Sequence, residues 1–291
     1  MSTAARVTAH AKLNLSLRVG AAGADGFHEI STAFIRIALG DDVVVRLVSD
    51  GCTVDCRGID VGPSERNLAL RAAQAYIMAT GWPSGVSIEI DKHVPVGGGL
   101  GGGSADAGAV LRALDALAPR PVGERALLGI AARVGSDVPY LTTDHPVAWA
   151  TGRGERLDAL SPLGERQVAL VCPQFGIATA QAYAWLDADR TDAGWHPTPM
   201  LDKVPDRWSD FPPLPRNDLE PPVSRRHPEI ARSIAGLRGA GARIAGMSGS
   251  GSTVFGVFDG APDPAALAGA GLTAVVFTHT LASIEPVELL D

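Results

Sequence analysis

Pro95-Val96-Gly97-Gly98-Gly99-Leu100-Gly101-Gly102-Gly103-Ser104-Ala105 joins a strand-like run, Val86 to Ile90, to a run from Ala105 to Leu117 with Ala109, Val110, Ala113, Leu114 and Leu117 at helical spacing. Six of the seven residues from 97 to 103 are glycine. Each glycine raises the backbone entropy lost on folding, so such a run is not there to fill a core. A chain without Cβ atoms lets successive N–H groups converge on an anion. The N-terminus of the following helix adds its own unpaired donors and partial positive charge. The stretch reads as a phosphate cradle, in which Ser104 caps the helix or turns its hydroxyl toward a phosphate or metal ion.

A flexible glycine-rich turn is the bland alternative. A dinucleotide loop is another, because Gly97, Gly99 and Gly102 form a literal G-x-G-x-x-G. That fold wants an acidic residue ending a second strand about 20 residues further on. Pro119-Arg120-Pro121-Val122-Gly123-Glu124 stands there instead, a helix exit. A Walker A loop ends in Gly-Lys-Ser/Thr, and this one does not. A third kind of nucleotide loop remains.

The 291-residue chain is long enough for a large core and two domains. With 46% hydrophobic residues, 20% charged residues and a net charge of −7, it has the composition of a globular protein without a broad nucleic-acid surface. A nucleic-acid partner is not expected, although a few local donors suffice for an anionic small molecule. The only lysines are Lys12, Lys92 and Lys203, so a lysine near a site stands out among the many arginines. The N-terminus lacks the apolar region of a signal peptide and no apolar run approaches the roughly 20 residues that span a bilayer, so no membrane partner and a cytoplasmic location are expected. Cys52, Cys56 and Cys172 are too few for a disulfide framework and have no histidine partners nearby, and read as ordinary thiols.

From His10 to Val19 the chain alternates, with Leu13, Leu15, Leu17 and Val19 on one face of a strand and Lys12, Asn14, Ser16 and Arg18 on the other. The ordinary fate of the polar face is solvent. The loop Ala24-Asp25-Gly26-Phe27-His28 follows, and then strand-like runs from Ile35 to Val48, interrupted by the turn signal Gly40-Asp41-Asp42. A helix is expected from Asn67 to Met78, opened by Pro63-Ser64-Glu65 and ended near Gly81. A further helix runs from Glu124 to Val134 and stops at Gly135 as C′ glycines do. In Gly135-Ser136-Asp137-Val138-Pro139 the default role of Asp137 is a helix cap. A strand, Val168 to Cys172, opens the second half, and Thr179 to Tyr183 begins a helix. The segment Trp195 to Pro222, rich in proline and tryptophan, carries no function that can be assigned. A second glycine loop, Ala245-Gly246-Met247-Ser248-Gly249-Ser250-Gly251-Ser252, precedes a strand from Thr253 to Phe258. Two such loops far apart, each joined to a strand, are poorly explained as accidental turns.

The pattern Pro95-x-x-x-Gly99-Leu100-Gly101 followed by Gly102-Gly103-Ser104-Ala105 resembles the ATP loop of the GHMP kinases. Ala9-x-Ala11-Lys12-Leu13-Asn14-Leu15 and Asp25-Gly26-Phe27-His28 resemble signatures of one branch, the 4-diphosphocytidyl-2-C-methyl-D-erythritol kinases, where the second reads Asp-Gly-Tyr-His. Glu65-Arg66-Asn67-Leu68, Thr151 to Glu155, Arg216 to Glu220 and the second glycine loop also look like the family, so the resemblance spans roughly 9–183 and 216–258. It implies an α+β fold of two domains, an N-terminal one like domain 2 of ribosomal protein S5 and a C-terminal ferredoxin-like one, with the active site between them. The expected domains are 1–158 and 159–291.

The resemblance further implies ATP, with Mg2+, as phosphoryl donor, and a cytidine diphosphate-linked methylerythritol as the small-molecule substrate phosphorylated at its 2-hydroxyl. Residues Pro95, Val96, Gly97, Gly98, Gly99, Leu100, Gly101, Gly102, Gly103, Ser104 and Ala105 are the expected ATP site. Asp137 is the expected general base, and Lys12 orients it and stabilises charge on the transferring phosphoryl group. Phe27 stacks on the cytosine, His28 hydrogen-bonds its edge, Tyr183 covers its other face, and Asn14, beside Lys12, belongs to the substrate side. Phe27 departs from the family's tyrosine by a hydroxyl, and Met247-Ser248 departs mildly from the family's second loop. A homoserine- or mevalonate-type kinase, or a catalytically silent nucleotide-binding relative, are the alternatives. Metal ligands and oligomeric state are not legible.

Overall fold

A computed structural model describes residues 2–24, 26–59, 66–192, 205, 207–212, 216–272 and 274–291. Asp25, the helix opening Pro63-Ser64-Glu65 and part of the Trp195–Pro222 segment lie outside the described residues. The first sheet is built from β1 (Ala4–Ala22), β2 (His28–Val48), β3 (Gly51–Gly58), β4 (Gly85–Lys92), β5 (Val147–Gly152) and β6 (Arg156–Ala159), joined by the last strand of the chain, β11 (Glu288–Leu290). Its order is β11-β1-β2-β4-β3, with β5 also on β2 and β6 on β5. The helices α1 (Leu68–Thr80), α2 (Gly102–Leu117), α3 (Glu124–Val134) and α4 (Val138–Thr142) pack with it in one core. The second sheet, β10-β7-β9-β8, comprises β7 (Gln167–Val171), β8 (Ile244–Met247), β9 (Val254–Phe258) and β10 (Val275–His279). With α5 (Thr179–Asp192), α6 (Glu220–Arg226) and α7 (Pro228–Gly239) after the first of these strands and α8 (Pro264–Gly269) before the last, it is a ferredoxin-like βαββαβ unit. Among the described residues no helix is long and apolar enough to cross a membrane.

Local sequence explains many of the boundaries. Gly81 closes α1 at φ 73°, as expected, while Asn67, read from the sequence as its first residue, instead caps it by accepting from Ala69 N at 2.9 Å. Helix α2 starts at Gly102 rather than Ala105, behind Gly101 at φ 73° and without any side-chain cap, so Ser104 lies inside the first turn and does not cap. Helix α3 does end at Gly135, but in extended backbone at φ 179° rather than in the left-handed C′ form. The turn expected at Gly40-Asp41-Asp42 is absent, and β2 runs straight through it. Gly40 lies opposite His10, where a Cβ would meet Thr8 Cγ2 at 3.0 Å and Ala9 O at 3.2 Å. Asp41 is fully buried and accepts from His93 N at 2.5 Å and Val94 N at 2.8 Å. Residues that favour turns are used here for a crowded crossing and a buried ion.

The polar face of β1 is not solvated: Lys12, Asn14, Ser16 and Arg18 are all buried. For Lys12 and Asn14, a bulge between His10 and Lys12 is the reason. Before it, Ala5, Val7 and Ala9 join the helix-side core; after it, Ala11, Leu13 and Leu15 join a core shared with Val168, Leu170, Ile244, Phe255 and Val257 of the second sheet. A strand that changes phase turns its side chains to the other face, until the second register shift, between Asn14 and Ser16, brings Leu17 to the same cavity as Lys12 and Asn14. Lys12 and Asn14 are thereby delivered to the helix side, beside the start of α2. The two sheets close over one another, and Leu100, the single apolar residue among the loop glycines, is buried in the core between them.

The two glycine loops are locked together. Thr253 N donates to Gly98 O and Ser248 Oγ to Gly99 O, both at 3.0 Å. Asn217 Nδ2 supports the second loop from below, donating to Met247 O at 2.9 Å and Gly249 O at 2.8 Å. A Cβ at Gly99 would lie 2.1 Å from Ser248 O, at φ +77°, and one at Gly98 would lie 2.5 Å from Thr253 Oγ1. At Gly103 the nearest atom is Leu68 Cδ1 at 3.8 Å, ordinary contact. Part of the glycine run therefore serves loop-to-loop packing rather than anion approach. Gly99→Ala is expected to destabilise the fold by about 2 kcal/mol or more, and Gly103→Ala to leave it unchanged or slightly better. Thermal unfolding of the two variants checks this; equal melting temperatures would refute the packing role.

Candidate active site

The bulged strand and α4 bring Lys12 and Asp137 together. Asp137 occupies the residue before α4 in αR backbone and makes no capping hydrogen bond. Its Oδ2 instead lies 3.4 Å from Lys12 Nζ. The ammonium, 3% exposed as a residue, also donates to Asn14 Oδ1 at 2.5 Å and to Gly99 O at 3.0 Å. Two hydrogen bonds and the ion pair with Asp137 thus hold it. Its backbone N donates to Leu100 O at 3.0 Å, so the glycine loop is tied to this residue twice.

Asn14 is engaged on both ends. While Oδ1 accepts from Lys12, Nδ2 donates to Thr32 Oγ1 at 2.8 Å, and that hydroxyl donates to Ser16 O at 2.6 Å. The chain of donors sets the amide orientation and, through it, the place of the ammonium.

A cavity of about 380 Å³ opens beside this pair. Pro95, Val96, Gly97, Gly98, Gly99, Leu100, Gly101, Gly102, Gly103 and Ser104 line it, along with Lys12, Asn14 and Asp137. Ala105 is buried in the helix-side core and lies off the lining. Tyr183 of α5 is on the wall; burial, and then the Asp137 charge, push its hydroxyl up to about 12. The His28 ring is 5.1 Å from the Tyr183 ring, with Nδ1 at 2.9 Å from Gly20 O and Nε2 at 3.2 Å from Asp187 Oδ2. Phe27 is 55% exposed, and Arg153 lies over its ring at 3.9 Å from the centroid. His28 and Phe27 sit outside the cavity lining; the His28 ring lies against Tyr183, which is on it.

Further residues line the cavity, some from segments that resemble the family, such as Arg66, Asn67 and Ser250, and others, Lys92, Asp106 and Thr179, that no family motif marked. Lys92 Nζ is held by two carboxylates, Asp41 Oδ2 and, at 2.6 Å, Asp106 Oδ2. Burial acts to lower the Lys92 pKa, but the two carboxylates outweigh it and raise it. Asp106 shares that cation with Asp41, and among the described residues its Oδ1 has no hydrogen-bond partner. Burial pushes its carboxyl up to about 7, with Lys92 opposing and Asp41 adding to the rise. The scarcity of lysine was the only sequence signal for this cluster. Among the described residues no group of three or more His, Cys, Asp or Glu is placed to hold a metal ion by itself.

The family profile described as GHMP kinases N terminal domain matches residues 67–147, and the one described as GHMP kinases C terminal matches residues 208–274. A 4-diphosphocytidyl-2-C-methyl-D-erythritol kinase of Anaeromyxobacter dehalogenans (strain 2CP-C) is 46% identical over 258 residues, 87% of this chain and 80% of its own length. The crystal structure of a 4-(cytidine 5'-diphospho)-2C-methyl-D-erythritol kinase superposes with a TM-score of 0.73 at 34% identity, covering 94% of this chain and 98% of that one. The structure of homoserine kinase from Cytophaga hutchinsonii, at 18% identity and a TM-score of 0.67, over 100% of this chain and 98% of its own, shares the fold.

The Asp106 carboxyl has a pH signature. Its folded pKa, about 7, lies above its ordinary value of 3.8, so the folded state holds the proton more tightly. The stability this contributes is full below about 4 and is lost as pH rises through about 7. Asp106→Asn lacks that loss. The melting temperature of the wild type is expected to fall relative to the variant between those limits; a difference independent of pH would refute the assignment.

Proposed function

The chain belongs to the GHMP kinases and, among them, to the 4-diphosphocytidyl-2-C-methyl-D-erythritol kinases, and we propose that Asp137 and Lys12 are the residues with which it transfers the phosphoryl group. It is an ATP-dependent kinase that phosphorylates the 2-hydroxyl of 4-diphosphocytidyl-2-C-methyl-D-erythritol, releasing ADP, in the route to isoprenoid precursors. The observation that carries the assignment is the Lys12–Asp137 contact of 3.4 Å at the edge of a glycine-lined cavity.

In this reading the backbone N–H groups of the loop and the N-terminus of α2 hold the triphosphate. Asp137 accepts the proton of the substrate hydroxyl as the new phosphorus–oxygen bond forms. Lys12 keeps that carboxylate aimed and stabilises charge on the transferring group, in a buried setting where such charge is worth more than in water. The Asn14–Thr32–Ser16 chain holds the ammonium in place, which makes Asn14 a support for Lys12 as much as a substrate contact. The hydroxyl of Ser104 and the carboxylate of Asp137 border the same cavity, a hard-oxygen donor set that suits Mg2+ held mainly by the phosphates and water. When bound, that ion neutralises phosphate charge.

Phe27, His28 and Tyr183 are assigned to the cytosine. Their support is adjacency: His28 lies against Tyr183 on the cavity wall, and Phe27 is its neighbour in the chain, with Arg153 over its ring. The domains are placed at 1–158 and 159–291, supported by the second sheet beginning at β7; β11 then returns to pair with β1. A cytoplasmic location, where ATP is supplied, and a small molecule as the only substrate partner complete the reading.

ADP release from magnesium ATP, measured with the cytidyl substrate beside homoserine and mevalonate, is expected with the cytidyl substrate alone. Asp137→Asn is expected to retain its melting temperature and lose about 10³-fold or more in kcat. Near-normal turnover by the folded variant would overturn the base assignment. Phe27→Ala is expected to raise KM for the cytidyl substrate about tenfold and leave KM for ATP unchanged, the size of one lost base stack. An unchanged KM for the cytidyl substrate would remove Phe27 from the site.

A further inference from the structure

We propose that Arg36 is the positioning residue of the transfer pair, holding the strand that carries Lys12 and the helix that follows Asp137 in one frame. The proposal rests on the assignment of Lys12 and Asp137 above. Arg36 lies on β2 directly opposite Lys12 and is 2% exposed. Its Nη1 donates to His10 O at 3.1 Å, at the start of the bulge that turns Lys12 toward α2. Its Nη2 donates to Tyr140 O at 3.0 Å and Thr143 O at 3.1 Å, carbonyls at the end of α4. One guanidinium thus bridges the two elements from which the pair projects.

Stacked rings continue the connection. The Arg36 guanidinium lies 4.9 Å from the Tyr140 ring centroid, Tyr140 stacks on Phe34 at 4.8 Å, and Lys12 Nζ lies over Phe34 at 5.4 Å. Tyr140 Oη and the Arg36 backbone N both donate to Pro146 O at 2.9 Å. Among the described residues no carboxylate pairs with Arg36, and its Nε has no partner. Burial lowers its pKa to about 10, which still leaves it charged at neutral pH. A fully buried cation held by carbonyls alone is a costly way to fill space, since an apolar side chain of similar volume would avoid the desolvation. The planar fork does what an apolar chain cannot: it fixes carbonyls of separate segments at hydrogen-bond distance. A misplacement of about 1 Å between reacting groups can cost about 10²-fold in rate, so such a frame has kinetic value.

The test is a double-mutant cycle on the full chain, with turnover normalised to nucleotide-binding sites and folding followed by thermal melting. Arg36→Met is expected to lower kcat about 10- to 100-fold with both KM values within about twofold, and Arg36→Lys to remain impaired because a point charge cannot reproduce the fork. In the Asp137→Asn background the same change is expected to cost nothing further, because no pair is left to place. If Arg36→Met does not fold, Arg36→Lys carries the cycle. Wild-type kcat in the folded variant, or an equal loss in both backgrounds, would overturn the proposal. If Asp137→Asn alone is fully active, the assignment of the pair fails instead, and the cycle separates the two.

Discussion

A lysine buried away from water must have an acceptor for each of its protons, and that requirement organises the centre of this protein. Lys12 meets it with hydrogen bonds to Asn14 of its own strand and Gly99 of the first glycine loop, and with an ion pair to Asp137 from the approach to α4. Each acceptor arrives on a different element. Satisfying one ammonium therefore sets the loop, the strand and the helix relative to each other, and places a carboxylate at the edge of the cavity.

The glycine loop shows how a functional motif is also a packing problem. Leu100 anchors it in the core between the two sheets, while Gly98 and Gly99 press their backbone against Thr253 and Ser248 at separations no Cβ would allow. Gly103 faces more open space. The second loop is thus a wall of the first, itself held by Asn217, and the resemblance of the segment from Arg216 to Glu220 to its family gains a physical meaning. Two halves of the chain meet at a surface of bare backbone because only bare backbone comes close enough.

A second buried lysine follows the same logic with a different balance. Lys92 has two carboxylates, so one of them is under-compensated, and Asp106 is the one that burial pushes toward the neutral form. Arg36 is the opposite case, a buried cation with carbonyls in place of any carboxylate. The three sites lie on strands β1, β2 and β4 of one sheet, and each ties a different loop or helix to it.

Periodicity and punctuation in the chain were enough to mark β1, α1, β4, α2 and α3, with Gly81 as the working stop signal of α1. The glycine runs marked both loops, and the resemblance of the neighbouring segments to the family pointed to Lys12 and Asp137. These are local properties, written in a few neighbouring residues. What only the tertiary structure decided was which way those residues face and whom they meet. The bulge after His10 turned a face that reads as solvated into the floor of the site, and Gly40-Asp41, which reads as a turn, became part of a long strand because its partners, His93, Val94 and Lys92, come from a distant part of the chain. The capping role expected of Asp137 gave way to Lys12 for the same reason. A polar side chain takes its strongest available partner, and that partner is brought by packing of the whole chain, beyond the reach of any local pattern.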